Sequence, residues 1–159
     1  TPNAFGVMGY EANAPKPGKR MLSSMTPTFM DSADRAVVIG TPGGTRIITM
    51  VLLGMLGYDA GLDAQAVAAL PRYHHQWLPD VIEAETNAIS PDAAKALQAM
   101  GHKLDLPGDE AAGGRGSSHV WGNLQTVEWD KRANTLSAGS DPRNSVGEGK
   151  VELASPPPR

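Results

Sequence analysis

Two pairs of small residues, Ser23-Ser24 and Gly43-Gly44, have the types and spacing best suited to chemistry in this sequence. Adjacent serine hydroxyls offer two neutral donors to an anion. Paired glycines at the start of a helix let a ligand approach backbone N–H groups that point out of its first turn. Such a turn suits a phosphate, a carboxylate or the oxyanion of acyl transfer. From the residues alone, solvated serines and a tight turn without a ligand are the commoner alternatives.

The glycine pair is predicted to join a buried strand to a buried helix. Residues 35–39 form a short apolar run, and residues 40–58 pass through Pro42 into a segment with apolar residues at helical spacing. We expect this helix to be covered on most of its sides. Its unbroken apolar run, residues 50–53, is far shorter than the roughly 20 residues of a membrane span, so no span is predicted.

The remaining pattern is typical of a mixed α+β chain. Residues 19–30 are β-compatible and pair with 35–39 through a turn at 31–34. Asp63 and Ser90 are predicted N-caps of two further helices, 64–70 and 91–100, because their side chains can accept from first-turn N–H groups. Further strands are expected at 81–85, 102–106, 120–129 and 135–138.

Composition and charge exclude several classes of function. The net charge of -3 comes from mixed charges without a basic cluster, which argues against a nucleic-acid partner. The absence of cysteine excludes disulfides and thiolate metal sites. His74 and His75 are neighbours that point to opposite sides of an extended segment, so structural or hydrogen-bonding roles are expected for them. No metal site and no cofactor are predicted.

The ends of the chain and one internal segment are expected to be loops. Residues 1–18 and 107–118 are rich in glycine or proline, and residues 146–159 form a loose proline-rich tail. The first residues have no signal-peptide pattern and no initiating Met, so residue 1 is interpreted as an internal or processed end.

Seven segments, in order, resemble the small subunit of γ-glutamyltranspeptidase, an N-terminal nucleophile hydrolase. They are PNAFG, EANAP, PGKRMLSSMTPT, TPGGTRIIT, AVAALPRYHHQWLPD, SPDAAKALQAMGHK and AGSDPR. The resemblance implies a C-terminal portion of that subunit over residues 1–145, within a four-layer αββα sandwich. It also implies a self-cleaved precursor, a large-subunit partner and a periplasmic or secreted location. The implied reaction is transfer of a γ-glutamyl group from glutathione and related amides to water, amino acids or peptides.

Carried over by this resemblance, Ser23 and Ser24 hold the substrate α-carboxylate, and Gly43 and Gly44 form the oxyanion hole. The family nucleophile is a threonine at the N-terminus of the small subunit, upstream of the PNAFG segment. Thr1 does not match it, because Thr1 precedes Pro2 and falls where the family has an internal loop. We therefore expect no nucleophile within these residues and no activity from the chain alone.

Two alternatives remain open at this point. One is a related acylase on the same scaffold, acting on glutaryl-type amides, although the retained serine pair favours a substrate with a free α-carboxylate. The other is a non-catalytic relative that uses the fold for binding. Self-association or marginal stability of the chain is expected, because a partial sandwich leaves apolar faces open.

Overall fold

A computed structural model describes residue 14 and residues 16–21, 23–108 and 121–143. The predicted tail at 146–159, most of the loop at 107–118 and most of the leading loop at 1–18 lie outside these residues. The described residues form an α+β fold. Its elements are β1 (Thr28–Asp31), β2 (Arg35–Gly40), a 3₁₀ turn (Gly44–Arg46), α1 (Ile47–Asp59), α2 (Ala64–Ala69), β3 (Tyr73–His74), β4 (Ile82–Ala84), α3 (Pro91–Ala99), β5 (Leu104–Asp105), β6 (Gln125–Asp130) and β7 (Thr135–Ser140).

The main sheet has the strand order β1-β2-β6-β7, and every pair in it is antiparallel. Side chains alternate along β2, so Val37 and Ile39 are buried while Val38 points to the other face. The buried face packs under α1 and α2 around a core that includes Met50 and Val67. The predicted hairpin of β1 and β2 is confirmed, although β1 begins only at Thr28 and extends to Asp31, the first residue of the predicted turn.

Both predicted helix caps are confirmed. Asp63 Oδ1 accepts from the amide of Ala66 at 2.7 Å, and Ser90 Oγ accepts from the amide of Ala93 at 3.2 Å. The helix that begins after Ser90 packs beside a small second sheet of order β3-β4-β5. This sheet places residues 72–85 next to the start of α1.

The outer face of the main sheet is apolar and open in the described part of the chain. Phe29, Val38 and Val127 lie in one row across three strands, and Phe29 is 77% exposed. Trp129 and Leu136 pair in the next row and are also exposed. An apolar row of this size on a sheet face requires a covering layer, as in a sandwich.

As predicted, α1 is covered on most of its sides in the described residues, and one apolar stripe of it stays open. Its inward side chains, such as Met50 and Val51, are buried against β2 and α2, but Ile48, Leu52 and Leu56 are about half exposed. Apolar periodicity did not predict this open stripe, because it counts apolar residues around the helix whether or not another layer covers them. In the described ranges no helix is long and apolar enough to cross a membrane.

The strand predicted at 120–129 begins only at Gln125. Gly122 has φ +77°, which interrupts an extended strand, and the amide of Leu124 donates to the carboxylate of Asp141 instead of to a neighbouring strand. Residues 121–124 therefore leave the sheet and pass behind the glycine turn.

Candidate active site

The glycine turn follows directly from the end of β2. Gly43 has φ +148° and Gly44 has φ +60°, conformations that side chains with a Cβ rarely adopt. The amide of Arg46 donates to the carbonyl of Gly43 at 3.1 Å and closes the turn. A Cβ at Gly43 would overlap the terminal methyl of Met50, while a Cβ at Gly44 would meet nothing within 4 Å. Conformation therefore favours glycine at both positions, and a side chain at Gly43 would also displace the methyl of Met50.

The backbone amides of this turn are suited to bind negative charge. The turn leads into α1, so it lies at the positive end of the helix dipole. Among the described residues, no group accepts a hydrogen bond from the amide of Gly43 or of Gly44. Two N–H groups at a helix start can stabilise a carboxylate, a phosphate or a developing oxyanion.

The structure brings the two predicted pairs into contact. Ser24 Oγ donates to the carbonyl of Gly44 at 2.9 Å, although 20 residues separate them. Ser23 Oγ accepts from the amide of Met25 at 3.2 Å. A hydroxyl has one proton to donate, so Ser24 commits its proton to the turn while Ser23 retains its own for another acceptor.

Residues 121–123 form the back of the glycine turn. Thr41 Oγ1 donates to the carbonyl of Pro42 at 2.7 Å and accepts from the amide of Asn123 at 3.1 Å. A Cβ at Gly122 would overlap the Pro42 carbonyl and lie 2.6 Å from Thr41 Oγ1. Sequence reasoning missed Gly122, although a glycine inside an apparent strand is a known signal of close backbone approach.

A buried ionic network anchors this segment. Arg72, which is 2% exposed, donates to Asp141 Oδ2 at 2.7 Å and also to the carbonyl of Trp121. The same carboxylate oxygen accepts from the amide of Leu124 at 2.9 Å. Arg143 donates to Asp141 Oδ1 at 3.0 Å. Arg72 and Asp141 thereby hold both ends of residues 121–124.

Glu85 completes the network. It pairs with the guanidinium of Arg143 and accepts from the backbone amide of Arg72 at 2.9 Å. Arg143 also donates to the carbonyl of Leu70 at 2.8 Å, just beyond the last turn of α2. The network therefore joins the small sheet, α2 and the strand that ends at Ser140.

The pKa values of three residues in this network shift because of burial and their partners. Burial alone would raise the pKa of Asp141, but the amides of Arg143 and Leu124 and the two guanidinium groups outweigh it and lower that pKa. Burial and the nearby Arg143 lower the pKa of Arg72. Burial opposes the charge of Arg143 too, yet Glu85 and Asp141 raise its pKa. A buried pair held by several donors fixes geometry, because breaking it leaves an uncompensated charge.

The histidines have the hydrogen-bonding roles predicted for them. His74 is buried between Thr49 Oγ1 at 2.9 Å and Gln76 Oε1 at 3.0 Å, and burial lowers its pKa. His75 lies on the surface beside Asp80, at 3.2 Å. Across the described ranges, no group of three or more His, Asp or Glu side chains is placed to hold a metal ion.

Comparison with known proteins gives consistent matches. A family model for γ-glutamyltranspeptidase matches residues 1–151. The chain is 42% identical over 142 residues to the glutathione hydrolase proenzyme of Escherichia coli K12, covering 87% of this chain and 24% of the relative. It is 46% identical over 108 residues to the glutathione hydrolase proenzyme of Pseudomonas sp. A14, covering 67% and 19%.

A solved structure agrees with these matches. The γ-glutamyltranspeptidase of Pseudomonas nitroreducens in complex with L-DON is 36% identical, with a TM-score of 0.69, and the match covers 98% of this chain and 75% of that one. The chain spans only 19% to 24% of the length of the two curated relatives.

Proposed function

Because the chain belongs to the γ-glutamyltranspeptidase family, we propose that its serine pair and glycine turn form the acyl-binding part of a γ-glutamyl transfer site. The substrate class is glutathione and related γ-glutamyl amides. The observation that carries the proposal is the hydrogen bond from Ser24 Oγ to the carbonyl of Gly44. It places the Ser23 hydroxyl, which keeps its proton for an α-carboxylate, close to an amide pair suited to the γ-carbonyl oxygen.

In this reaction the hydroxyl of a threonine outside these 159 residues attacks the γ-carbonyl carbon. Its own α-amino group takes the proton. The carbonyl oxygen becomes an oxyanion, and the N–H groups of Gly43 and Gly44 stabilise it. Collapse of the intermediate expels the protonated amine and leaves a γ-glutamyl ester, which water or an acceptor amine then cleaves. Ser23 orients the acyl group by donating to the α-carboxylate, which an arginine of the large subunit also contacts.

The purified 159-residue chain is expected to be inactive by itself. Because the proposed nucleophile lies outside these residues, a γ-glutamyl p-nitroanilide should release no p-nitroaniline above the buffer rate. The complete enzyme carrying the same residues is the positive control. Stoichiometric acylation of the isolated chain, detected by mass spectrometry, would show that the nucleophile lies within it.

We propose that the open apolar faces of the main sheet and α1 pack against the rest of the enzyme, including the large subunit. Phe29, Val127 and Trp129 occupy the sheet face, and Ile48 and Leu52 the helix face. Together these faces are larger than the isolated apolar residues usual on a monomer. By its family resemblance the complete enzyme is periplasmic or secreted.

The isolated chain should therefore self-associate. Sedimentation velocity is expected to show concentration-dependent oligomers, and the double variant Phe29→Lys with Trp129→Lys should shift them toward monomer, because the two changes add charge to the exposed row. Met100→Lys, at the exposed end of α3, is the matched control and should leave association unchanged. A parent chain that stays monomeric across the concentration range would contradict this account of the faces.

The acyl preference of the complete enzyme tests the proposed function against a glutaryl-type acylase. Glutaryl p-nitroanilide keeps a terminal carboxylate but lacks the α-amino group, and 4-aminobutyryl p-nitroanilide lacks the α-carboxylate. A γ-glutamyl transferase should prefer the γ-glutamyl compound to both. Equal or faster turnover of the glutaryl compound would assign the chain to an acylase instead.

A further inference from the structure

We propose that Gly122 is a positioning residue of the oxyanion hole: residues 121–123, held by the buried Arg72–Asp141 pair, fix the conformation of the glycine turn from behind. The inference rests on the proposed function, since it requires Gly43 and Gly44 to act on the oxyanion. Gly122 makes no contact with substrate in this account and acts only through the turn.

The first observation is the close approach of the two backbones. Cα of Gly122 would lie 3.5 Å from a Cβ at Gly43, and a Cβ at Gly122 would overlap the carbonyl of Pro42. The same Cβ would lie 2.8 Å from the terminal methyl of Met50. Only a residue without a side chain fits between the turn and α1, and the φ of +77° is a second reason for glycine.

The second observation is that the segment cannot easily move away. The carbonyl of Trp121 accepts from Arg72, and the amide of Leu124 donates to Asp141. Arg72 Nη1 also lies 3.5 Å from the sulfur of Met50, the side chain whose terminal methyl lies beside both Gly43 and Gly122. Displacing residues 121–124 would break hydrogen bonds to a buried ion pair, so strain introduced at Gly122 falls on the turn.

The third observation is that the turn needs external support. Gly43 and Gly44 have no side chains whose contacts could fix the backbone of the turn. The φ of +148° at Gly43 is one of many values that glycine can adopt, so other contacts must select it. An oxyanion hole stabilises charge only if its donors are aimed before the reaction. The hydrogen bond from the amide of Asn123 to Thr41 Oγ1 and the contact at Gly122 together hold the amides of the turn in one orientation.

The test is Gly122→Ala in the complete enzyme. We expect kcat to fall by about 10- to 100-fold, the effect of moving a catalytic group by about an ångström. KM for the γ-glutamyl amide should change much less, because Ser23 still contacts the carboxylate. Affinity for a boronate analogue of the tetrahedral intermediate should fall with kcat, while affinity for glutamate as a competitive inhibitor should hold.

Two further variants separate positioning from folding. Gly101→Ala is the matched control, because Gly101 has φ +95° but no neighbour within 4 Å, so it carries the same backbone strain without touching the turn. Its kcat should stay at the parental value. Thr41→Ala removes the acceptor for Asn123 without adding bulk and should lower kcat and boronate affinity about tenfold, and Thr41→Ser should restore both.

The outcomes distinguish this inference from the proposed function. If Gly43→Ala loses activity while Gly122→Ala and Thr41→Ala keep parental kcat and boronate affinity, the positioning role is wrong and the oxyanion assignment stands. If Gly43→Ala itself keeps the parental kcat, the oxyanion assignment in the proposed function is wrong, whatever Gly122→Ala shows. If Gly122→Ala does not accumulate as processed subunits, the two Thr41 variants provide the test. A loss of kcat and boronate affinity in Thr41→Ala that Thr41→Ser restores supports the inference. Parental values of both quantities in both variants overturn it.

Discussion

Replacing Gly43 by alanine should lower kcat of the complete enzyme by about 10²- to 10³-fold, the usual effect of losing one oxyanion donor. The new Cβ would overlap the methyl of Met50, and a φ of +148° is rarely accessible to alanine, so the turn must rotate its amides away from the substrate. KM should rise far less, because the carboxylate contact at Ser23 is separate from the turn. Steady-state rates with a γ-glutamyl p-nitroanilide measure both constants.

Gly44 provides a graded comparison at the neighbouring position. Its φ of +60° lies in the left-handed region, and a Cβ there would meet nothing within 4 Å. Asparagine tolerates this region better than alanine, and a β-branched residue tolerates it least. We therefore expect the loss of kcat to be smallest for Gly44→Asn, larger for Gly44→Ala and largest for Gly44→Val. Parental turnover by Gly43→Ala and Gly44→Val, in enzyme shown by gel to be processed, would refute the oxyanion assignment.

The second large effect is expected at the serine pair, and it should differ between the two residues. Ser23→Ala removes a donor to a charged carboxylate, a loss of about 1.5–3 kcal/mol, so kcat/KM for the γ-glutamyl amide should fall by about 10- to 100-fold, mainly through KM. Ser24→Ala removes the donor to the Gly44 carbonyl and should lower kcat as well.

Conservative variants provide the control for this separation. Ser24→Thr retains a hydroxyl that can donate to Gly44 and should keep most of the parental kcat. Ser137→Ala, on an exposed position of β7, should change neither constant. If Ser23→Ala and Ser24→Ala give identical changes in KM and none in kcat, both serines act only on the carboxylate, and the link to the turn has no kinetic role.

The strand, turn and helix around the glycine pair could be predicted because their signals are local. A short apolar run predicts β2. Asp63 and Ser90 predict the starts of their helices, and each bonds an amide only three residues further along the chain. The hydrogen bond from Ser24 to Gly44 joins residues 20 apart and depends on the path of the β1–β2 hairpin. Local pattern therefore found both pairs of residues, and only the structure put them in contact.

The support behind the turn could not be predicted for a similar reason. Arg72 and Asp141 are 69 residues apart, and neither lies in a local sequence pattern that predicts a buried ion pair. The run from 120 to 129 has β-forming residues, so alternation predicted one strand, whereas the acceptor at Asp141 and the conformation of Gly122 detach its first residues. The exposed side of α1 was missed because periodicity records apolar character and not the layer that covers it.

Recognition of the α-carboxylate of a γ-glutamyl group by Ser23 can be measured as a ratio of two specificity constants. The ratio is kcat/KM for γ-glutamyl p-nitroanilide divided by kcat/KM for 4-aminobutyryl p-nitroanilide, measured in the complete enzyme and in its Ser23→Ala variant. We expect a ratio well above one in the parent and at least a tenfold lower ratio in the variant, because only the first substrate has the carboxylate that Ser23 contacts. An unchanged ratio would contradict the assignment of Ser23 to the carboxylate.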